Sequence, residues 1–311
     1  MIPEARTPYT VKEKLHLKLV TQQYNIGFVT KPLVRIIHEG MQKNDIVWMK
    51  HPFKDRFFAD PFLLKQDQEF YYVLVEEFTY WGKKGVISLL KVEKSSCNLR
   101  EKRTIIEEPW HLSFPFCEEN GTWVIPESIE ANATYKYAID PEKLTVIKKE
   151  KIADYGLIDG IYFRDDEKKW HALATTGNEY MSVLYGFDLS DAMSFPTWEE
   201  RPLLVDAQRA RSAGHLFLYE GNICRPVQDC KERYGRQVKI EQLRNVHPYE
   251  TKEVATINGD ACPPFNQTFH TFNVYQGVVV VDGSRDFYRP FRKALYKAKY
   301  LLSNQSNQLP T

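Results

Sequence analysis

The sequence predicts an all-β chain folded as a five-bladed β-propeller. A strand–turn–strand cassette recurs five times at intervals of roughly fifty residues, which is the period and element type that blades leave in a sequence. Gly and Pro mark the turns between apolar runs throughout, and no low-complexity linker interrupts the 311 residues. A closed all-β fold of this length is commonly one domain rather than two. Aromatic residues at 14% suit both strands and sugar-stacking clefts.

Taken in order, residues 1–45 form an entry segment. Runs 24–29 and 33–37 have strand character, and such a segment closes a propeller ring by pairing with the last blade. The expected blades are 50–100, 101–150, 151–205, 206–255 and 256–285, the last completed by the entry segment. Each opens on one cassette. The first runs from Phe58-Ala59-Asp60-Pro61-Phe62 to a strand ending in Glu76-Glu77, and the second from His111-Leu112-Ser113 to Pro126-Glu127-Ser128. The third runs from Ile158-Asp159-Gly160 to Thr175-Thr176, and the fourth from Ser212-Ala213-Gly214-His215 to Arg225-Pro226-Val227-Gln228-Asp229. The fifth runs from His270-Thr271-Phe272 to Asp282-Gly283. Third strands are expected at 133–139, 183–187 and 237–243, with a loop at 190–198.

The tail, 286–311, breaks the pattern. Phe287, Phe291, Leu295, Tyr296 and Leu301 fall at helical spacing, with Arg289, Arg292, Lys293, Lys297 and Lys299 on the other face. This reads as a C-terminal basic amphipathic helix over 287–302, packed on the propeller flank or resting on an anionic membrane surface.

A net charge of +1 supplies no global field for nucleic acid, which is excluded as a partner. The N-terminus lacks a charged-then-apolar leader, and no run of apolar residues is long enough to span a bilayer. Five cysteines without metal spacing read as reduced thiols. The expected location is therefore cytoplasmic, at most peripheral to a membrane.

In a propeller the innermost strands start around one mouth of the central channel, and the neighbouring strands return to it. The repeat therefore brings together Asp60, Ser113, Asp159, the stretch from Arg211 to His215, and His270. The returning ends add Glu76, Glu77, Glu127, Gln228, Asp229 and Asp282. Taken singly, Asp60-Pro61 and Asp159-Gly160 are turn signals, Glu127 is a strand end, and the histidines are candidates for bonding to backbone. Their shared cassette position favours a site, and paired carboxylates around a cleft are the equipment of glycosidic chemistry. Arg209 and Arg211 flank a glycine turn. With Arg225 and Arg285 they offer guanidinium forks that match phosphate, unless a surface pair with Asp206 absorbs them.

Ala59-Asp60-Pro61 and Ile158-Asp159-Gly160 resemble the corresponding motifs of the five-bladed propellers of glycoside hydrolase family 43 and its relatives. The closer resemblance is to the propeller domain at the N-terminus of glucosamine inositolphosphorylceramide transferases and in related bacterial polysaccharide-biosynthesis proteins. It is carried by Tyr24-Asn25-Ile26-Gly27, Pro126-Glu127-Ser128, Arg211-Ser212-Ala213-Gly214, Arg225-Pro226-Val227-Gln228-Asp229-Cys230 and His270-Thr271-Phe272-Asn273, besides the aspartate motifs. The resemblance implies Asp60 as general base and Asp159 as the residue that tunes the acid and orients substrate.

The family's fourth-blade acid is missing: Arg211-Ser212-Ala213-Gly214 stands in its place. A sugar leaving group needs an acid, whereas a phosphate leaving group needs positive charge. Two enzyme readings follow. In the first, a glycosyl-transferring enzyme of surface-polysaccharide or glycolipid assembly uses a phosphorylated or nucleotide sugar held by arginines. In the second, a hydrolase has Glu127 in the acid role. A third reading is a non-catalytic sugar-binding propeller. The expected binding set is Glu77, Arg209, Arg211, His215, Arg225, Gln228, Asp229, His270, Asp282 and Arg285 around a sugar or sugar phosphate. No cofactor is expected from the residues. The resemblance allows one central Ca²⁺ near His270, although the chain has no calcium loop.

Overall fold

The computed structural model describes residues 19–288 and 298, apart from 83, 119–120, 177–181 and 247. The chain enters through β1 (Val20–Val29), helix α1 (Leu33–Glu39) and β2 (Ile46–Trp48). The first full sheet is β3 (Arg56–Gln66), β4 (Phe70–Thr79), β5 (Gly85–Glu93) and β6 (Leu99–Ile106). The second is β7 (Ser113–Cys117), β8 (Trp123–Glu127), β9 (Thr134–Asp140) and β10 (Thr145–Ala153). The third is β11 (Ile158–Arg164), β12 (Trp170–Thr175), β13 (Val183–Asp188) and β14 (Pro202–Val205). The fourth is β15 (Phe217–Tyr219), β16 (Asn222–Asp229), β17 (Gln237–Asn245) and β18 (Glu250–Ile257). The last sheet has the order β19-β20-β1-β2, where β19 is Phe272–Tyr275 and β20 is Val278–Tyr288.

These are the five four-stranded blades of a propeller. The fifth is made from both ends of the chain: β1 runs antiparallel to β20 from Val20↔Tyr288 to Val29↔Val279. Pairing the entry strand to the exit strand closes the ring without leaving those edges bare. Inner strands are packed on both faces, so Phe58 through Leu64 of β3 is buried without alternation. Outer strands such as β10 carry exposed Lys148, Lys149 and Lys151, charges that discourage edge pairing. Aromatic contacts tie blade to blade: Phe62 meets Phe114 edge-on at 4.8 Å, and Phe116 meets Tyr162 at 5.2 Å.

One irregularity repeats and positions the site. The register slips between Ala59 and Phe62 in β3, between Ser113 and Phe116 in β7, and between Ile158 and Ile161 in β11. Each bulge holds a non-glycine residue at positive φ: Asp60 at 48°, Phe114 at 40° and Asp159 at 48°. A bulge re-aims the side chain it carries, and positive φ is uncommon outside glycine although Asp tolerates it.

Two elements differ from expectation. Residues 33–37 form a helix rather than a strand. Pro32 precedes its first turn and Gly40, at φ 68°, ends it. Ile36 and Ile37 are buried in one cluster with Phe217, Val238 and Ile257, so one-sided packing overrides the β preference of Val and Ile. Phe287 belongs to β20, opposite Thr21, and not to a helix. The rest of the expected amphipathic helix lies outside the described residues except for position 298. No helix among the described residues is long and apolar enough to cross a membrane. All five cysteines are buried and unpaired with one another.

Candidate functional site

The bulges of β3 and β11 bring Asp60 and Asp159, and strands β4, β8, β16 and β20 bring Glu76, Glu127, Gln228 and Asp282, into one cluster. Asp282, fully buried, is the hub of one half. It accepts the Asp60 amide N–H at 3.0 Å, the Thr271 N–H at 3.0 Å and the Thr271 hydroxyl at 3.1 Å. Its Oδ1 also lies 2.7 Å from His270 Nδ1. Asp60 in turn accepts the Phe114 N–H at 3.1 Å and the Thr271 hydroxyl at 3.2 Å, with His270 Nε2 at 3.6 Å from its Oδ1. Burial would discharge His270, but the carboxylates of Asp282 and Asp60 outweigh it and hold the imidazole up at about 9. The ring is therefore an imidazolium at neutral pH. Burial, only partly offset by His270, raises Asp60 to about 6.

Asp159 is the hub of the other half. Its Oδ2 accepts Arg211 Nε at 2.7 Å and Gln228 Nε2 at 2.8 Å, and Arg211 Nη2 lies 2.5 Å away. The Arg211 guanidinium also lies 5.1 Å from the Tyr234 ring centroid, and that ring stands 5.3 Å from His270. Tyr234 thus bridges the two halves.

Glu127 and Glu76 complete the cluster. Ser113 pairs with Glu127 and Ala59 with Glu76, so the two glutamates hold equivalent places in adjacent blades. Desolvation and the neighbouring carboxylate of Asp159 push Glu127 up to about 8, and its hydrogen bond to Asp159 favours the protonated form further. Glu76, 9% exposed, is raised by burial and then by Asp60 and Glu127, with His111 Nε2 at 3.6 Å from its Oε1. Gly85 makes room for it: a Cβ there would meet Leu112 O at 2.5 Å and Glu76 Oε1 at 2.9 Å.

Several expected members lie elsewhere. Glu77 points to the opposite face of its strand, where it meets Arg56, Lys102 at 2.7 Å and Ser88 at 2.5 Å. Burial opposes its charge, but Lys102, Ser88 and Arg56 hold its carboxyl below the usual range. Arg209 is bound to Glu241 and Thr251. Arg225 is fully buried and donates to the carbonyls of Arg209 and Ala210, to Tyr249 and to Ser212, so it braces the fourth blade from within. Asp229 accepts Gln208 and Gln237. His215 packs on Phe62 and Phe116, with Nε2 2.7 Å from the Cys117 carbonyl, and burial drops it to about 4. Arg285 donates to Gln23 away from the mouth. The arginines expected to converge on a phosphate therefore do not meet; Arg211 alone joins the cluster, as the partner of Asp159. Glu76, Thr271 and Tyr234 were not in the expected binding set. Glu76 is expected at the mouth beside Glu127 but is left out of that set in favour of Glu77; nothing local marks the other two.

Asp60, His270 and Asp282 offer ligand atoms within 4.8 Å of one another. The set does not match calcium, which takes six to eight oxygens. It offers two carboxylates and an imidazole, and Asp282 already serves backbone and side-chain donors. What the cluster can do is move protons: one carboxyl held protonated near neutrality, and another ionised beside an imidazolium.

The family profile described as Glucosamine inositolphosphorylceramide transferase 1, N-terminal matches residues 46–261. The protein named Glucosamine inositolphosphorylceramide transferase 1 from Oryza sativa subsp. indica is 26% identical over 214 residues, covering 65% of this chain and 28% of that protein. Its namesake from Arabidopsis thaliana is 27% identical over 212 residues, covering 64% and 27%. The chain thus matches little more than a quarter of the length of these relatives. A solved beta-xylosidase structure superposes with a TM-score of 0.50 at 11% identity, over 76% of this chain and 95% of that one, a likeness of fold.

Proposed function

We propose that this chain, which belongs to the glucosamine inositolphosphorylceramide transferase 1 N-terminal family, is a carbohydrate-active domain. Its channel mouth makes or transfers glycosidic bonds in polysaccharide or glycolipid assembly. One observation carries the reading: successive blades deliver Asp60 and Glu127 to one cluster with their proton affinities pushed apart, to about 6 and about 8. Environments that separate two carboxyls in this way set up a base and an acid.

Asp60 takes the proton of an incoming hydroxyl. Its other contacts, the Phe114 N–H and Thr271 hydroxyl, fix the carboxylate plane. The hydroxyl oxygen bonds to the anomeric carbon as the bond to the leaving group breaks, and Glu127 gives its proton to the departing oxygen. Asp159, clamped by Arg211 and Gln228, stands beside Glu127 and keeps its proton on until it is needed. Phosphorylated donors fit a transferase, and the name of the relatives supports transfer. Hydrolysis is the second reading, favoured by Glu127, because a proton donor is what a sugar leaving group requires.

The test is turnover of nucleotide sugars, sugar phosphates and aryl glycosides, followed by mass spectrometry with and without hydroxyl acceptors. Asp60→Asn lowers turnover of every substrate by roughly 10²–10⁴-fold in this account. Glu127→Gln slows poor leaving groups by roughly 10²–10⁴-fold and spares good ones. Full activity in Asp60→Asn contradicts the assignment. Saturable sugar binding with no turnover of any substrate leaves a sugar-binding propeller.

A further inference from the structure

A second site lies in a cleft of about 520 Å³ beside the fifth blade. Strand β1 serves both places. Tyr24 packs on His270 at 5.1 Å, while its neighbours Gln23 and Asn25 line the cleft. The remaining wall is the β2–β3 connection, with Lys50, His51 and Lys54, and Arg285 of β20. Among the described residues that line it there are three full cations and an imidazole, and no carboxylate. The acid nearest in sequence, Asp55, uses both its oxygens on Arg56 at 3.0 Å.

The cleft is built to present charge. The Arg285 guanidinium lies 4.5 Å from the Phe265 ring centroid and 4.4 Å from that of Phe287, and it donates twice to Gln23 Oε1, at 3.1 and 3.0 Å. Aromatic flanks and a side-chain amide orient a planar fork that would otherwise sweep through solvent. Two buried polar atoms of the lining residues, Asn25 Oδ1 and His51 Nδ1, have no hydrogen-bond partner among the described residues.

We infer that this cleft binds a phosphoryl group, with Lys50, Lys54 and Arg285 holding the anion. Phosphate is the anion that a guanidinium fork with flanking ammonium groups matches. The identity of the phosphoryl group as part of a glycosyl donor or acceptor rests on the reading of the mouth given above; the anion site does not.

The experiment is calorimetric titration of the purified chain with sodium pyrophosphate at low and high salt. A parallel arm uses sedimentation with phosphatidylcholine vesicles, with and without phosphatidylinositol 4-phosphate. Saturable pyrophosphate binding that weakens with salt is expected. It falls about tenfold or more in Lys50→Gln/Lys54→Gln and in Arg285→Gln, is partly kept in Arg285→Lys, and is unchanged in Asp60→Asn. Binding confined to the phosphoinositide vesicles, and lost in the same variants, assigns the phosphoryl group to a lipid. No binding in either arm, or binding at full strength in all cleft variants, overturns the inference. Loss of the role given to Asp60 would leave these titrations unmoved, so the two proposals fail separately.

Discussion

Asp60 in the first blade and Asp159 in the third hold the same place in the repeat, on the same bulge, at the same φ of 48°. Their surroundings share almost nothing. Asp60 is met by a backbone N–H, a hydroxyl and, more distantly, an imidazolium, and its proton affinity is raised to about 6. Asp159 is met by a guanidinium and a side-chain amide. The repeat decides where a carboxylate arrives, and partners from distant blades decide what it does. The aspartate assigned as base has an imidazole 3.6 Å from its Oδ1, whereas the one that orients is clamped by a guanidinium at 2.5–2.7 Å.

The sharpest way to break this comparison is to neutralise each aspartate in turn. Asp60→Asn should lower turnover by roughly 10²–10⁴-fold with the fold intact, measured by activity alongside circular dichroism. Asp159→Asn should instead act first on stability. It takes the Asp159 carboxylate away from the buried Arg211, a loss of roughly 3–5 kcal/mol in chemical denaturation. Replacing both partners, Asp159→Asn with Arg211→Met, should recover much of that loss. Equal stability losses at the two aspartates would show that they do not differ as argued.

The pH dependence of stability extends the contrast to the whole cluster. The folded proton affinities of Asp60 (about 6), Glu127 (about 8) and His270 (about 9) all lie above the ordinary values of 3.8, 4.5 and 6.5. Across each of those windows the native state binds more protons than the unfolded chain, so stability falls as pH rises. The melting temperature should decline from pH 5 to pH 9. Glu127→Gln, which fixes the protonated shape, should flatten the decline and raise the melting temperature at pH 8.5 by about 2–4 °C per kcal/mol recovered. A melting temperature that climbs over this range would contradict the account.

The smallest expected effect separates neighbours. Glu76→Gln mimics the protonated carboxyl that burial, Asp60 and Glu127 favour there, so the alkaline limb of the pH–rate profile should barely move while the melting temperature rises slightly at alkaline pH. Glu77→Gln should leave that limb in place and only weaken the pairs with Arg56 and Lys102.

The aspartates were legible because the bulge recurs at a fixed point of the cassette, and Gln228 and His270 came with them. Glu76 and Glu77 were both expected at the mouth, and Glu77 was the one put in the binding set. In a strand the facing alternates every residue, so choosing the second of two adjacent glutamates selects the wrong face. The arginine assignments failed for another reason. Arg211 is 52 residues from Asp159, and Arg209 is 32 from Glu241. Which cation spends its charge inside the protein depends on contacts that no local pattern records. The helix α1 was read as a strand because Val and Ile favour strands in isolation, while its burial on one side is a property of the closed ring.

The central claim is that the mouth holds Glu127 protonated and Asp60 ionised near neutral pH. Its most direct test is a carbon-13 titration of the side-chain carboxyls in the selectively labelled chain, assigned with Asp60→Asn and Glu127→Gln. The account predicts midpoints near 6 for Asp60 and near 8 for Glu127. Two carboxyls that both titrate near 4 would contradict it.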